Sequence, residues 1–385
     1  MVPADPVVTA RLAGFRSVRG HGAAVALLRR AIENDRVSSV YLFAGPAGVG
    51  KDRVAHALAQ VMNCRAPAPD GDACGACDLC DKIARGVHPD VIVLQRDLKD
   101  PPEDSPKDSP KLREENAKLR AMRREDLAEA DLKQNITVEQ VEELLARMPF
   151  RPHEAATRWV IFRDAERLQP AAANKLLKTL EEPPRGSHFV LVSAKPSSLL
   201  PTIRSRCQLV HFGLLEAGDV AAVLRESAAE LGVDLAHLEE LVSLGDGSVG
   251  RALEFKNRER LKERQALVDE ILAALRAGAP GLFVAIGEKA REYAQAGEKA
   301  RGYDALMDRA QEANRQDLDT VLLLLQRHFR NEAMQHANVR PRNAAVNAAR
   351  ADIVRETQSM LDGSSNLNVQ LVIEAMLVRL REARA

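Results

Sequence analysis

Along the first 212 residues the spacing of hydrophobic positions changes several times, and each change marks an element. Residues 20–34 (GHGAAVALLRRAIEN) place apolar side chains as one face of a helix does. Val40 to Ala44 is then a short apolar run that stops at a glycine-rich turn, and helical composition resumes at Asp52. Similar runs recur at Val91–Leu94, Trp159–Phe162, Phe189–Val192 and Gln208–Phe212. Helical stretches fall between them at Ile136–Met148, opened by Thr137, and at Ala171–Glu182, stopped by Pro183 and Pro184. Short buried strands alternating with helices predict an α/β fold: a parallel sheet with helices on both faces. From Glu216 onward the pattern is helical, with breaks at residues 245–248 and 278–280 and no internal repeat. Residues 95–135 interrupt the alternation with Pro101, Pro102, Pro106 and Pro110 among acids and lysines, then a stretch of charged residues and Ala. That segment reads as an exposed, partly disordered insertion.

Composition narrows the function classes. A chain of 385 residues is long enough for two or three domains. Lys plus Arg and Asp plus Glu both number 55, so any contact with nucleic acid needs a local patch and not a global charge. No stretch approaches the ~18 apolar residues of a membrane span. Residues 1–13 lack the apolar core and small-residue cleavage site of a signal peptide, so no membrane partner and a cytoplasmic location are expected.

Two clusters carry candidate chemistry. Gly45-Pro46-Ala47-Gly48-Val49-Gly50-Lys51-Asp52 follows the phosphate-loop pattern G-x-x-x-x-G-K-[ST] up to its last position, between a predicted strand and a predicted helix. Gly45, Gly48 and Gly50 would let backbone N–H groups face phosphate oxygens, with Lys51 reaching the outer phosphates. Asp52 stands where a hydroxyl normally ligates Mg²⁺. A carboxylate beside phosphates costs on the order of several kcal/mol in a partly dry site, so ATP or ADP binding is expected to be weak or absent. The second cluster is Cys64, Cys74, Cys77 and Cys80, spaced C-x9-C-x2-C-x2-C. Four thiolates can close a tetrahedral shell at ~2.3 Å around Zn²⁺, leaving no open position, so a zinc here would be structural. Ligand softness favours zinc, iron being the formal alternative, and redox-active thiols the competing reading. Cys207 reads as a small buried residue.

Further segments resemble the bacterial AAA+ clamp-loader family. They are Asn174–Pro184 (NKLLKTLEEPP), Thr202–Cys207 (TIRSRC) with its Ser-Arg-Cys signature, His88-Pro89-Asp90, and the cysteine cluster itself. The resemblance covers about Phe15 to Arg251, with a break over the insertion. In this family the third strand ends in two acids, one that binds Mg²⁺ and one that is catalytic. Aligned on Arg167-Leu168-Gln169, the metal-binding acid falls at Arg163 and the catalytic one at Asp164; only a gap would make Asp164 the metal ligand. Acid at 52 and base at 163 would then meet, and an Asp52–Arg163 salt bridge is expected in the former metal site. The resemblance further implies Arg206 as an arginine finger acting in trans on a neighbouring subunit's ATP. It implies Ser193 as a polar sensor and Arg251 as the basic residue of a second sensor, although a helix N-cap explains Gly247–Arg251 equally well.

For the whole chain the resemblance implies three domains: a RecA-like AAA+ domain over residues 1–212, with the cysteine module at 64–80, a small helical lid over 213–262, and a helical collar over 263–385. It implies a pentamer with gamma/tau and delta subunits of DNA polymerase III, acting on a sliding clamp and primer–template DNA. With positions 52 and 163 altered, a non-hydrolysing delta-prime-type subunit is the expected role. An active gamma/tau-type ATPase is the alternative, and a zinc-bearing nucleic-acid-binding protein a third, which the neutral charge disfavours.

Overall fold

The computed structural model describes residues 12–96, 135–276, 315–337, 339–363 and 369–383. The proline- and charge-rich part of the insertion and the break at residues 278–280 lie outside them.

Five strands form one sheet in the order β2-β3-β4-β1-β5. They are β1 Val40–Ala44, β2 Val91–Leu94, β3 Arg158–Phe162, β4 Ser187–Ser193 and β5 Gln208–His211. Every pairing is parallel, with Val40 opposite Phe189 and Tyr41 opposite Gln208. The inner strands are buried on both faces, which is why they read as unbroken apolar runs and not as alternation.

Successive side chains still go to opposite layers. Tyr41, Phe43, Trp159, Ile161, Val190 and Val192 join one core. Its cover includes Leu28 of α1 (Gly22–Glu33), Val54 and Leu58 of α2 (Lys51–Asn63) and Ile83 of α3 (Asp78–Ala84). Val40, Leu42, Val160, Phe162, Phe189 and Leu191 join the other, against α4 (Val138–Arg147) and α5 (Pro170–Glu181). Thr137 caps α4 in a reciprocal box with Gln140, and Pro170 opens α5 at a position where no N–H is needed. The expected parallel sheet with helices on both faces is present.

After the short α6 (Pro201–Arg204) and β5, four helices follow: α7 Ala217–Glu226, α8 Ala228–Leu231, α9 Leu238–Gly245 and α10 Val249–Glu254. They belong to the same compact unit as the sheet, which runs to Lys256. A second unit begins at Asn257 and contains α11 (Arg258–Arg276), α12 (Arg315–His336), α13 (Pro341–Gly363) and α14 (Val369–Glu382) among its described residues. Val268, Leu322, Leu325, Val354, Ile373 and Leu380 are fully buried apolar residues among those described in it. No helix among the described residues is long and apolar enough to cross a membrane.

Candidate functional site

The glycine loop leaves the C-terminal end of β1 and enters α2, at the end of a parallel sheet where ligands of such folds sit. It borders a cavity of about 350 Å³ lined by Val18, His21, Gly48–Arg53, Arg163, Val223, Leu231 and Gly250, among others. Gly45 is packed so closely that a Cβ would come within 2.2 Å of the Phe212 carbonyl oxygen. Gly48 has φ +70°, a left-handed conformation that glycine adopts without strain.

Asp52 and Arg163 meet. Arg163, the first residue after β3, donates from Nε to Asp52 Oδ2 at 2.6 Å, and its Nη2 pairs with the same oxygen. Both side chains are mostly buried, 15% and 13% exposed. Arg163 Nη1 also donates to Gln95 Oε1 at 3.0 Å, a partner that the sequence does not announce. Asp164 is half exposed with Arg96 at 3.4 Å.

Lys51 is buried and turned back on its own loop, donating to the Gly45 and Pro46 carbonyls at 2.7 and 2.5 Å. Burial pushes its ammonium below the ordinary value, against the opposing pull of Glu166, Asp164 and Asp52. The next three carbonyls are also bonded from elsewhere in the chain. Ala47 O accepts from Ser248 Oγ at 2.9 Å, and Gly48 O from the Gly250 N–H at 2.9 Å. Val49 O lies 2.7 Å from His21 Nε2, which must therefore carry the proton.

The two expected sensors stand beside the loop: the Ser193 carbonyl accepts from the Gly45 N–H at 3.3 Å, and Arg251 follows Gly250 in α10. Ser193 is buried, its hydroxyl accepts from the Lys195 N–H at 3.1 Å, and its neighbours Val192 and Ala194, not Ser193 itself, line the cavity. Arg251 gives its backbone N–H to the Ser248 cap and is not part of the lining. Arg206 follows α6 and precedes the edge strand β5. It donates to the Thr202 carbonyl at 2.7 Å and pairs with Glu181 at the end of α5.

The cysteines converge. The sulfurs of Cys64, Cys74, Cys77 and Cys80 all lie within 4.8 Å of one another. Backbone N–H groups of Ala76 and Cys77 point at the Cys74 sulfur, at 3.4 and 3.2 Å, and the Cys74 N–H points at Cys64 Sγ at 3.2 Å. Those N–H donors bring the Cys74 thiol down to about 6, whereas burial raises Cys80 and Cys64. Four soft donors in one shell fit a four-coordinate structural metal, and the sulfur-directed N–H groups would steady the thiolates around it.

This module is joined to the chain start by a buried acid that the sequence reading passed over. Asp72 accepts from the N–H groups of Phe15 and Arg16, both at 2.9 Å, and from Arg29 at 2.7 Å.

Residues 20–216 match the family described as DNA polymerase III, delta subunit, which is just over half of the chain. The chain belongs to this family. Over 359 residues the family member is 26% identical to the DNA polymerase III subunit delta' of Bacillus subtilis, covering 92% of this chain and 94% of that one. It is 31% identical to the delta' subunit of Pseudomonas aeruginosa over 240 residues, 61% of each protein. To the gamma/tau subunit of Mycobacterium tuberculosis it is 29% identical over 240 residues, 62% of this chain and 36% of the relative. Several of the relatives are thus spanned over less than two thirds of their own length. Among solved structures, a DNA polymerase III gamma subunit-related protein from Thermotoga maritima is 16% identical with a TM-score of 0.35, covering 94% of this chain and 99% of that one.

Proposed function

We propose that this delta-family chain is the non-hydrolysing, delta-prime-type subunit of a replicative clamp loader. In that reading it sits beside gamma/tau and delta subunits in a pentamer that places a sliding clamp on primed DNA. The observation that carries the proposal is the Asp52–Arg163 pair: a guanidinium and a carboxylate bonded to each other occupy the two positions that would otherwise share a Mg²⁺. A cation cannot be added beside Arg163 without breaking that bond, so nucleotide binding is weak or absent and hydrolysis is lost.

The same reading gives Arg206 its role. β5 runs parallel to β1 with Gln208 level with Tyr41, so Arg206 enters at the end of the sheet away from the glycine loop. Four residue steps along the strand separate Tyr41 from Gly45, about 13 Å at ~3.3 Å per step. Arg206 therefore serves no phosphate in its own cradle, which supports a role on a neighbour's ATP, where a guanidinium stabilises charge on the transferred phosphoryl group. The cysteine cluster holds a structural Zn²⁺, residues 213–262 form the lid and residues 263–385 the collar. A gamma/tau-type ATPase is the second reading, favoured by the 29% identity with a gamma/tau subunit over 240 residues and opposed by Asp52 and Arg163.

Arg206→Ala in a loader reconstituted with its partner subunits tests the role. ATP turnover by the assembled loader should fall by a factor on the order of 10³ at the neighbouring site. The melting temperature of the isolated chain should hardly move, because an exposed pair such as Arg206–Glu181 contributes about 0–1 kcal/mol. Unchanged turnover in a correctly assembled loader would remove the finger.

A further inference from the structure

We infer that the cysteine module is a metal-set clasp: it holds the chain start, residues 12–18, against the wall of the cavity, with Asp72 and Gln60 as its positioning residues. The inference goes beyond the delta-prime reading and rests only on the fit of the four sulfurs to a metal. Residues 12–21 belong to no helix and to no strand of the sheet, yet Leu12 and Phe15 are buried in its core. Their backbone N–H groups must therefore find partners outside regular structure. The Gly14 N–H donates to Gln60 Oε1 at 2.6 Å, and those of Phe15 and Arg16 donate to Asp72 Oδ1 and Oδ2, both at 2.9 Å.

Asp72 and Gln60 are both fully buried. Each oxygen of Asp72 takes a second donor, Oδ1 the Ala73 N–H at 2.8 Å and Oδ2 the Arg29 guanidinium at 2.7 Å. Arg29 in turn lies over the Phe15 ring, 5.4 Å from its centroid. Gln60 projects from α2 and gives its amide to the Leu12 carbonyl at 3.3 Å and to the Cys80 carbonyl at 3.0 Å. One side chain thus joins the chain start to a residue of the sulfur cluster. The surfaces are close-fitting: a Cβ on Gly14 would lie 1.9 Å from Asp72 Oδ1, and one on Gly75 would lie 2.9 Å from Ala13 Cβ.

Asp72 itself lies in residues 65–73, a stretch without helix or strand that is bounded by Cys64 and Cys74. Ordering such a stretch costs conformational entropy, and fixing its two ends lowers that cost. A metal bound by Cys64 and Cys74 fixes both ends, and so sets where Asp72 presents its acceptors. Further along, the Ser17 carbonyl accepts from Arg53 Nε at 3.2 Å, and Ser17, Val18 and Arg19 line the cavity. Metal occupancy at the sulfurs therefore decides whether this wall of the cavity is held.

Amide hydrogen exchange on the full chain tests the clasp, because the groups that Asp72 and Gln60 hold are themselves backbone N–H donors. With zinc bound, peptides covering residues 12–18 should be protected. Stripping the zinc with a chelator should raise their exchange at least about tenfold while peptides from β1, β3 and β4 change little, and added zinc should reverse it. Asp72→Asn keeps the size of the side chain but turns an NH₂ group toward one pair of donors. It should produce the same rise at residues 12–18 with one zinc per chain still bound, which separates the clasp from the metal. A chain start that exchanges freely with zinc bound, or stays protected without it, overturns the clasp. So does Asp72→Asn that folds and exchanges as wild type. Equal loosening of the strand peptides on stripping makes the metal a general staple of the fold and also overturns it. If Asp72→Asn does not fold, chelation of the wild-type protein decides alone. None of these outcomes depends on ATP turnover, which tests the delta-prime reading separately.

Discussion

Asp52 and Arg163 are the residues on which the chemistry turns. Either alone would be unfavourable at a phosphate loop: an acid facing phosphates, or a base at a metal position. Together they neutralise each other in a site that is 13–15% exposed. Arg163→Ala leaves Asp52 without its cation and is expected to lower unfolding free energy by about 3 kcal/mol, the usual range for removing one partner of a largely buried pair. Asp52→Ala in the same chain should return part of that loss, because no uncompensated charge remains. Urea unfolding of the two single variants and the double variant measures it. If Arg163→Ala loses less than about 0.5 kcal/mol, the pair is a passive surface contact. Both residues stood out in the sequence because the loop pattern fixes what position 52 should be. Gln95 did not, since a lone glutamine after a strand carries no pattern of its own.

At the scale of elements, the cysteine module runs from the end of α2 into the first turn of α3, where its four sulfurs meet. Cys80 and Cys64 are raised by burial, so their protons must leave before a metal can bind, while Cys74 at about 6 is already a thiolate near neutrality. The sign follows: metal affinity should rise with pH and fall as the solution is acidified, with protons released on uptake. Elemental analysis should give one zinc per chain, falling well below one in Cys77→Ser. Cobalt substitution should give the charge-transfer bands of a sulfur-rich tetrahedral site. One-to-one zinc in Cys77→Ser would exclude the four-cysteine shell. Because Asp72 lies inside this module and fastens the backbone at Phe15 and Arg16, loss of metal should also loosen the chain start that leads to Val18 and His21 at the cavity.

Elements were the most legible level of this sequence. Parallel strands buried on both faces leave unbroken apolar runs, and Thr137, Gln140 and Pro170 mark helix starts by chemistry that acts locally. What could not be read were long-range contacts with no motif behind them. Gly247–Arg251 gives the same signal whether it merely begins a helix or also reaches back to the loop at residues 45–49. Arg158 and Asp90 look like surface charges at strand ends, yet both are buried. Arg158 donates to the carbonyls of Arg147, Phe150 and Arg151, and Asp90 accepts from the N–H groups of His153, Glu154 and Ala155. Burial alone would raise the Asp90 carboxyl, but those three donors hold it below its ordinary value.

For the whole molecule, the two ends of one sheet have different tasks. At the C-terminal end of β1 the loop is closed by an internal ion pair, by Lys51 and by Ser248 and Gly250. Toward the opposite end, before β5, Arg206 is presented at an exposed edge. In the proposed reading, a protein that closes its own cradle and offers a guanidinium elsewhere acts on a neighbour's nucleotide. The most direct test is ATP turnover and nucleotide affinity of the purified chain alone, with Mg²⁺. The account predicts no turnover and weak or undetectable binding, with Lys51→Ala no different from wild type. Turnover that Lys51→Ala abolishes would contradict it and make this chain a motor subunit.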